Sequence, residues 1–159
     1  MKLTWDDLLI QPISPEDARS WIAPWSHLVT GQWGQWGQWG QWGQCAPVFL
    51  SKFGDWFLRR PDGSTDELSV IEGTLQRVAA TPEEFMANVN RVEWQEEHLL
   101  SFHVARLHER GLIPGAGECY GFAPHPILTG RIDFSLARVM TIRVWQSIAA
   151  QSFHRSTPS

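Results

Sequence analysis

The densest run of residues able to ligate a metal is Glu96, Glu97, His98, His103 and His108. On a continuous helix His98 and His103, five positions apart, stand about 140° apart around the axis, and His98 and His108 lie about 15 Å apart along it. Two imidazoles share an ion when they sit four residues apart on one face. The run therefore reads as charge matched to a helix dipole, with Glu93, Glu96 and Glu97 near its start and Arg106, His108 and Arg110 near its end. Gly115-Ala116-Gly117 has the composition of a phosphate loop. It leaves a helix and enters a strand, however, whereas an anion-binding loop feeds a helix N-terminus. Cys119 lies in no nucleophile signature and reads as a small buried hydrophobe. The expectation is a protein with no catalytic residue, no metal and no cofactor.

Elements that would position any site follow from spacing and punctuation. Residues 3–9 read as a short helix. Ser14-Pro15-Glu16-Asp17 is a helix start, with a capping hydroxyl, proline at the first position and acids at the positive end of the dipole. A helix over 15–28 would bend or break at Pro24. Strands are expected over 47–51, 55–60, 65–71 and 74–79, separated by the turns Pro61-Asp62-Gly63-Ser64 and Glu72-Gly73. Thr81-Pro82-Glu83-Glu84 opens a helix over 82–90. A longer helix over 93–110 follows, with Leu100, Val104 and Leu107 at helical spacing and Gly111 as its stop. Beyond it come a short strand over 119–122, an extended Pro124-His125-Pro126, irregular chain after 127–130, and a last helix over 142–152. The fold class expected is α+β: an antiparallel β-meander packed against helices in a single domain over 1–159.

An unusual segment interrupts this domain. Residues 31–44 hold four copies of Gly-Gln-Trp followed by Gly-Gln, and carry four of the ten tryptophans. Period 3 fits neither a helix face nor a strand face. The segment reads as a surface insertion of slippage origin. No charged residue lies between His27 and Lys52, so a nucleic-acid strand stacking on these indoles would lack electrostatic help.

The whole chain has 159 residues, 43% hydrophobic and 19% charged, with a formal net charge of −4. That charge argues against nucleic acid as a partner, since phosphate binding is carried by clustered Lys and Arg. The apolar runs are too short to cross a membrane, and Asp6 and Asp7 come too early for a secretory signal. Cys45 and Cys119 fit neither a CxxC pair nor a disulfide framework. A cytoplasmic protein with free thiols is expected.

Two stretches resemble a known family. The first runs Ser51-Lys52-Phe53-Gly54-Asp55-Trp56-Phe57-Leu58, then Asp62-Gly63, then Ile71-Glu72-Gly73-Thr74-Leu75. The second holds Pro114-Gly115, Gly117-Glu118-Cys119-Tyr120-Gly121-Phe122 and Pro126-Ile127-Leu128-Thr129-Gly130. Together they are similar to the C-terminal domain family of type VI secretion immunity proteins, over roughly residues 14–151. Thr129-Gly130 stands where the family usually has two glycines, and Ser135-Leu136-Ala137 where it has an asparagine-containing turn. The resemblance implies a non-catalytic protein that neutralises a cognate protein toxin, a nuclease among the candidate classes, by direct binding. An inhibitor of a nuclease profits from an acidic face, for which Asp62, Asp66, Glu67 and Glu72 around the meander turns are the candidates. The alternative is a small enzyme or ligand-binding protein with a cleft near Cys119, Tyr120 and His125.

Overall fold

The computed structural model describes residues 3–26, 28 and 46–156, with side chains up to residue 153. The Gly-Gln-Trp segment and Cys45 lie outside the described residues. A first short helix, α1 (Trp5–Leu8), runs directly into β1 (Leu9–Ile10). Helix α2 (Pro15–Ile22) starts where the sequence places it: the Ser14 hydroxyl accepts from the Asp17 N–H at 3.1 Å. It ends early, and Pro24 sits in a 3-10 turn over Ala23–Trp25, because a proline cannot continue the ladder.

The meander follows as β2 (Ala46–Ser51), β3 (Trp56–Arg59), β4 (Thr65–Ser69) and β5 (Thr74–Ala79). With β1 at the edge they form one five-stranded sheet in sequence order, every pair antiparallel. The β3–β4 turn is held by the Asp62 carboxylate, which accepts from the Ser64 N–H at 2.9 Å, while Gly63 takes φ +91°. Strand β1 has no signal in the sequence, because two residues are too few to show alternation.

Neighbouring residues of a strand face opposite sides of the sheet, and β3 uses both sides for core. Phe57 meets Phe49, Phe85 and Trp94 on one face, with centroids 4.9, 6.1 and 5.6 Å away. Phe85 belongs to α3 (Pro82–Val89) and Trp94 to α4 (Val92–Trp94). On the other face, the Trp56 indole N–H donates to Gln146 of α7 (Ile142–Ser156) at 3.1 Å. Trp56, Phe57 and Leu107 are fully buried, as expected of a sheet-on-helix core. The fold is α+β, with an antiparallel meander packed against helices.

Two expectations need correction. The helix over 93–110 is not continuous. After α4 the chain makes a π turn over Gln95–Leu99, Leu100 takes a left-handed conformation (φ 54°, ψ 44°), and α5 (Ser101–Glu109) starts afresh. Helical spacing read across the break cannot register it, since Leu99 and Leu100 are apolar on either reading. The chain after Gly130 is also not irregular. Helix α6 (Pro126–Thr129) and a 3-10 turn lead to β7 (Ala137–Thr141), which pairs antiparallel with β6 (Glu118–Phe122). This second, two-stranded sheet packs on α7: a Cβ on Gly121 would lie 2.6 Å from Met140 Sδ and 2.8 Å from the Trp145 ring, so only glycine fits.

Candidate functional site

Strand β3 begins beside the end of β4, and the bend before β3 carries Asp55. The Ser51 hydroxyl accepts from the N–H groups of Phe53 and Asp55, both at 3.2 Å. Gly54 takes φ +90°, and a Cβ there would lie 2.8 Å from the Trp145 ring. This bend turns the Asp55 side chain into the interior, where Oδ1 accepts from the Val70 N–H at 2.9 Å. Asp55 is 6% exposed. Burial, and then the charge of Glu67, push its carboxyl well above the usual carboxylate range.

Glu67 sits opposite Phe57 in β4 and shares its face. Its Oε2 lies 3.0 Å from His98 Nδ1. Against a carboxylate, which only accepts, Nδ1 is the donor in this contact when it carries a proton. Burial works against the imidazolium, but the hydrogen bond and charge of Glu67, with Glu97 behind them, outweigh it and raise the His98 pKa. The ring packs tilted against Trp94, with centroids 4.6 Å apart. The left-handed Leu100 closes the π turn that delivers His98, and π turns and strained residues of this kind concentrate at functional sites.

Asp55, Glu67 and His98 line a cavity of about 150 Å³ together with Ser69, Glu72, Gln76, Glu97 and three apolar residues. No Lys or Arg lines it. Four carboxyl groups and one imidazole in a partly enclosed space make a receptor for positive charge. A second cavity of about 230 Å³ lies between α3 and the β1–β2 edge and is mainly apolar, with Phe49, Phe85 and Met86 in its wall.

The four acids expected on one face separate. Asp62 is exposed on the β3–β4 turn, where hydrogen bonds from Ser64 hold its carboxyl below the usual range. Asp66 is buried and faces away from Glu67, within 3.8 Å of Arg60 and 3.9 Å of Arg77. Its charge is engaged inside the protein. Glu67 is buried in the cavity wall, and Glu72 is exposed at the same cavity. Only Glu67 and Glu72 belong to one site.

Cys119, Tyr120 and His125, the residues of the alternative cleft, lie in the core. All three are at most 1% exposed, and neither cavity touches them. Burial pushes the Cys119 thiol far up and Tyr120 up to about 12. His125 Nε2 donates to the Val70 carbonyl at 2.9 Å, and its Nδ1 accepts from the Ile127 N–H at 3.0 Å, capping α6. At the Gly115-Ala116-Gly117 loop the Glu118 carboxylate takes the Gly115 N–H at 2.8 Å, which spends that donor.

Of the histidines, His98 joins the cavity, while His103 stacks on Phe134 with centroids 3.6 Å apart. Among the described residues no three His, Cys, Asp or Glu side chains are grouped to hold a metal. The site residues missed in the sequence are Asp55, Ser69, Gln76 and Glu97. Asp55 had a readable signal: an acid set between Phe53-Gly54 and Trp56-Phe57-Leu58, inside an apolar run.

No family model matches the chain, and no curated protein matches it. The fold is similar to the crystal structure of Atu4351 from Agrobacterium tumefaciens, with a TM-score of 0.53 and 15% identity. The match covers 85% of this chain and 64% of that protein's length. At this identity the likeness is one of fold.

Proposed function

We propose that the chain is a non-catalytic binding protein of the type VI immunity kind, which neutralises a cognate toxin by covering it directly. The observation that carries this reading is the acidic cavity, whose lining holds four carboxyl groups and no Lys or Arg. A nuclease grips nucleic acid through Lys and Arg. A protein that offers carboxylates to those groups competes for them, and opposite charge speeds its encounter. The formal net charge of −4 acts in the same direction. Glu67 and Glu72 keep the partner-binding role; Asp55 and Glu97 replace Asp62 and Asp66 in it. In this reading neither nucleic acid nor a membrane is a partner, and the protein acts in the cytoplasm.

Expression of the secreted protein encoded beside this chain's gene, with and without the chain, tests the proposal. The expected result is toxicity relieved by the chain and a stoichiometric complex on size-exclusion chromatography. Toxicity that persists, with the two proteins eluting separately, sinks it.

A further inference from the structure

We propose that the cavity between the π turn and the β4–β5 end is a socket for one arginine side chain of the partner protein. This rests on the binding function proposed above and names the chemistry of its contact. The acids alone would not identify a ligand. The independent observation is that two of them are deeply buried and only half used. Asp55 spends Oδ1 on the Val70 N–H, and Glu67 spends Oε2 on His98. Among the described residues no hydrogen bond reaches the other oxygen of either carboxyl. Neither oxygen is sealed from solvent. Both residues are about 6% exposed and line the cavity. Two buried acceptors thus face one space with nothing of the protein to satisfy them.

Size and lining select the guest. A volume of about 150 Å³ is below the roughly 300–1,000 Å³ usual for small-molecule sites, and suits a side-chain head group. Acceptors come from several elements: Asp55 on the bend before β3, Glu67 on β4, Gln76 on β5, Glu72 on the turn and Glu97 on the π turn. A guanidinium has five donors in a planar fork and loses hydration more readily than an ammonium. Ile71, Leu100 and Ile132 supply apolar wall for its methylene stem. The raised pKa of Asp55 fits this picture: a cationic guest would favour the ionised carboxyl that burial and Glu67 disfavour. Asp55, Glu67, Glu72, Glu97 and His98 are the titratable groups facing the guest. Affinity should therefore rise with pH as Asp55 and His98 shed protons.

The test titrates the full chain at about pH 8 with N-ethylguanidinium, N-ethylammonium and neutral N-ethylurea, reading NMR shifts. Expected are saturable shifts at Gln76, His98 and Leu100 with N-ethylguanidinium, weaker binding of the ammonium, and none of the urea. Glu72 is exposed and the Glu97 side chain is 76% exposed, so the double change Glu72→Gln, Glu97→Gln leaves the fold intact. It should weaken N-ethylguanidinium on the order of tenfold. Asp55→Asn, still folded, should remove saturable binding. No saturable shift, or equal binding of the ammonium or the urea, overturns the arginine socket. Probe binding without toxin relief overturns the proposed function and leaves the cation site standing; toxin relief without probe binding overturns the socket alone.

Discussion

Asp55 shows how one side chain can be costly to the fold and useful to a site. An acid buried in a wall with another carboxyl resists ionisation, and its folded pKa is raised. Its stabilising contribution is fully present below its unfolded pKa and is lost as pH rises through the raised folded value. Asn keeps the acceptor for the Val70 N–H and carries no charge to bury. Asp55→Asn should therefore match the parent in acid and exceed it in urea midpoint at about pH 8, so that the gap widens with pH. A gap that is flat or shrinks with pH contradicts the assignment. His98 shares the sign, since its raised pKa also gives stability that fades as pH rises through the folded value. Removing His98 instead of Asp55 should thus cost most in acid. Neither behaviour is visible in the sequence, where Asp55 and His98 are 43 positions apart and nothing marks them as neighbours.

At the scale of elements, Gln146 of α7 ties three parts of the chain together. Its Oε1 accepts from the Trp25 indole N–H at 2.7 Å and from the Trp56 indole N–H at 3.1 Å. Its Nε2 donates to the Gly54 carbonyl at 2.8 Å. The 3-10 turn after α2, strand β3 and the bend that carries Asp55 all meet at this one buried amide. Gln146→Leu leaves two buried donors and one acceptor without partners, each costing about 1–3 kcal/mol. The expected loss is about 3 kcal/mol or more by urea denaturation. The Asp55 bend should loosen with it, seen as faster amide exchange at Gly54 and Asp55. A variant as stable as the parent would show that the hub is not needed. A lone glutamine in an amphipathic helix reads as surface, so its role had no signal in the sequence.

Over the whole molecule, the described residues hold an aromatic core in which Trp25, Trp56, Trp145, Tyr120, Phe53 and Phe57 are fully buried, and the Gly-Gln-Trp repeat lies outside the described residues. Lengthening a loop costs little, about 0.6 kcal/mol of closure entropy per doubling. On the sequence reading of 31–42 as a surface insertion, a chain lacking it should melt within a few degrees of the parent and, with four fewer tryptophans, be no less soluble. A drop of many degrees in thermal unfolding would assign those tryptophans to the core. The caps at Ser14 and Thr81, the Asp62-Gly63 turn and the four-strand meander were legible in the sequence, because each is set by residues within a few positions of one another. The break at Leu100, strands β1 and β7, and the split of Asp62, Asp66, Glu67 and Glu72 between different surroundings were not. Strand alternation sends Asp66 and Glu67 to opposite faces, but the Arg77 and His98 that receive them come from β5 and the π turn. Local chemistry thus determined the fold class and most elements. Which acids are neutralised inside the protein and which open onto a common cavity depended on contacts between residues 11 to 31 positions apart, and only the tertiary structure decided it.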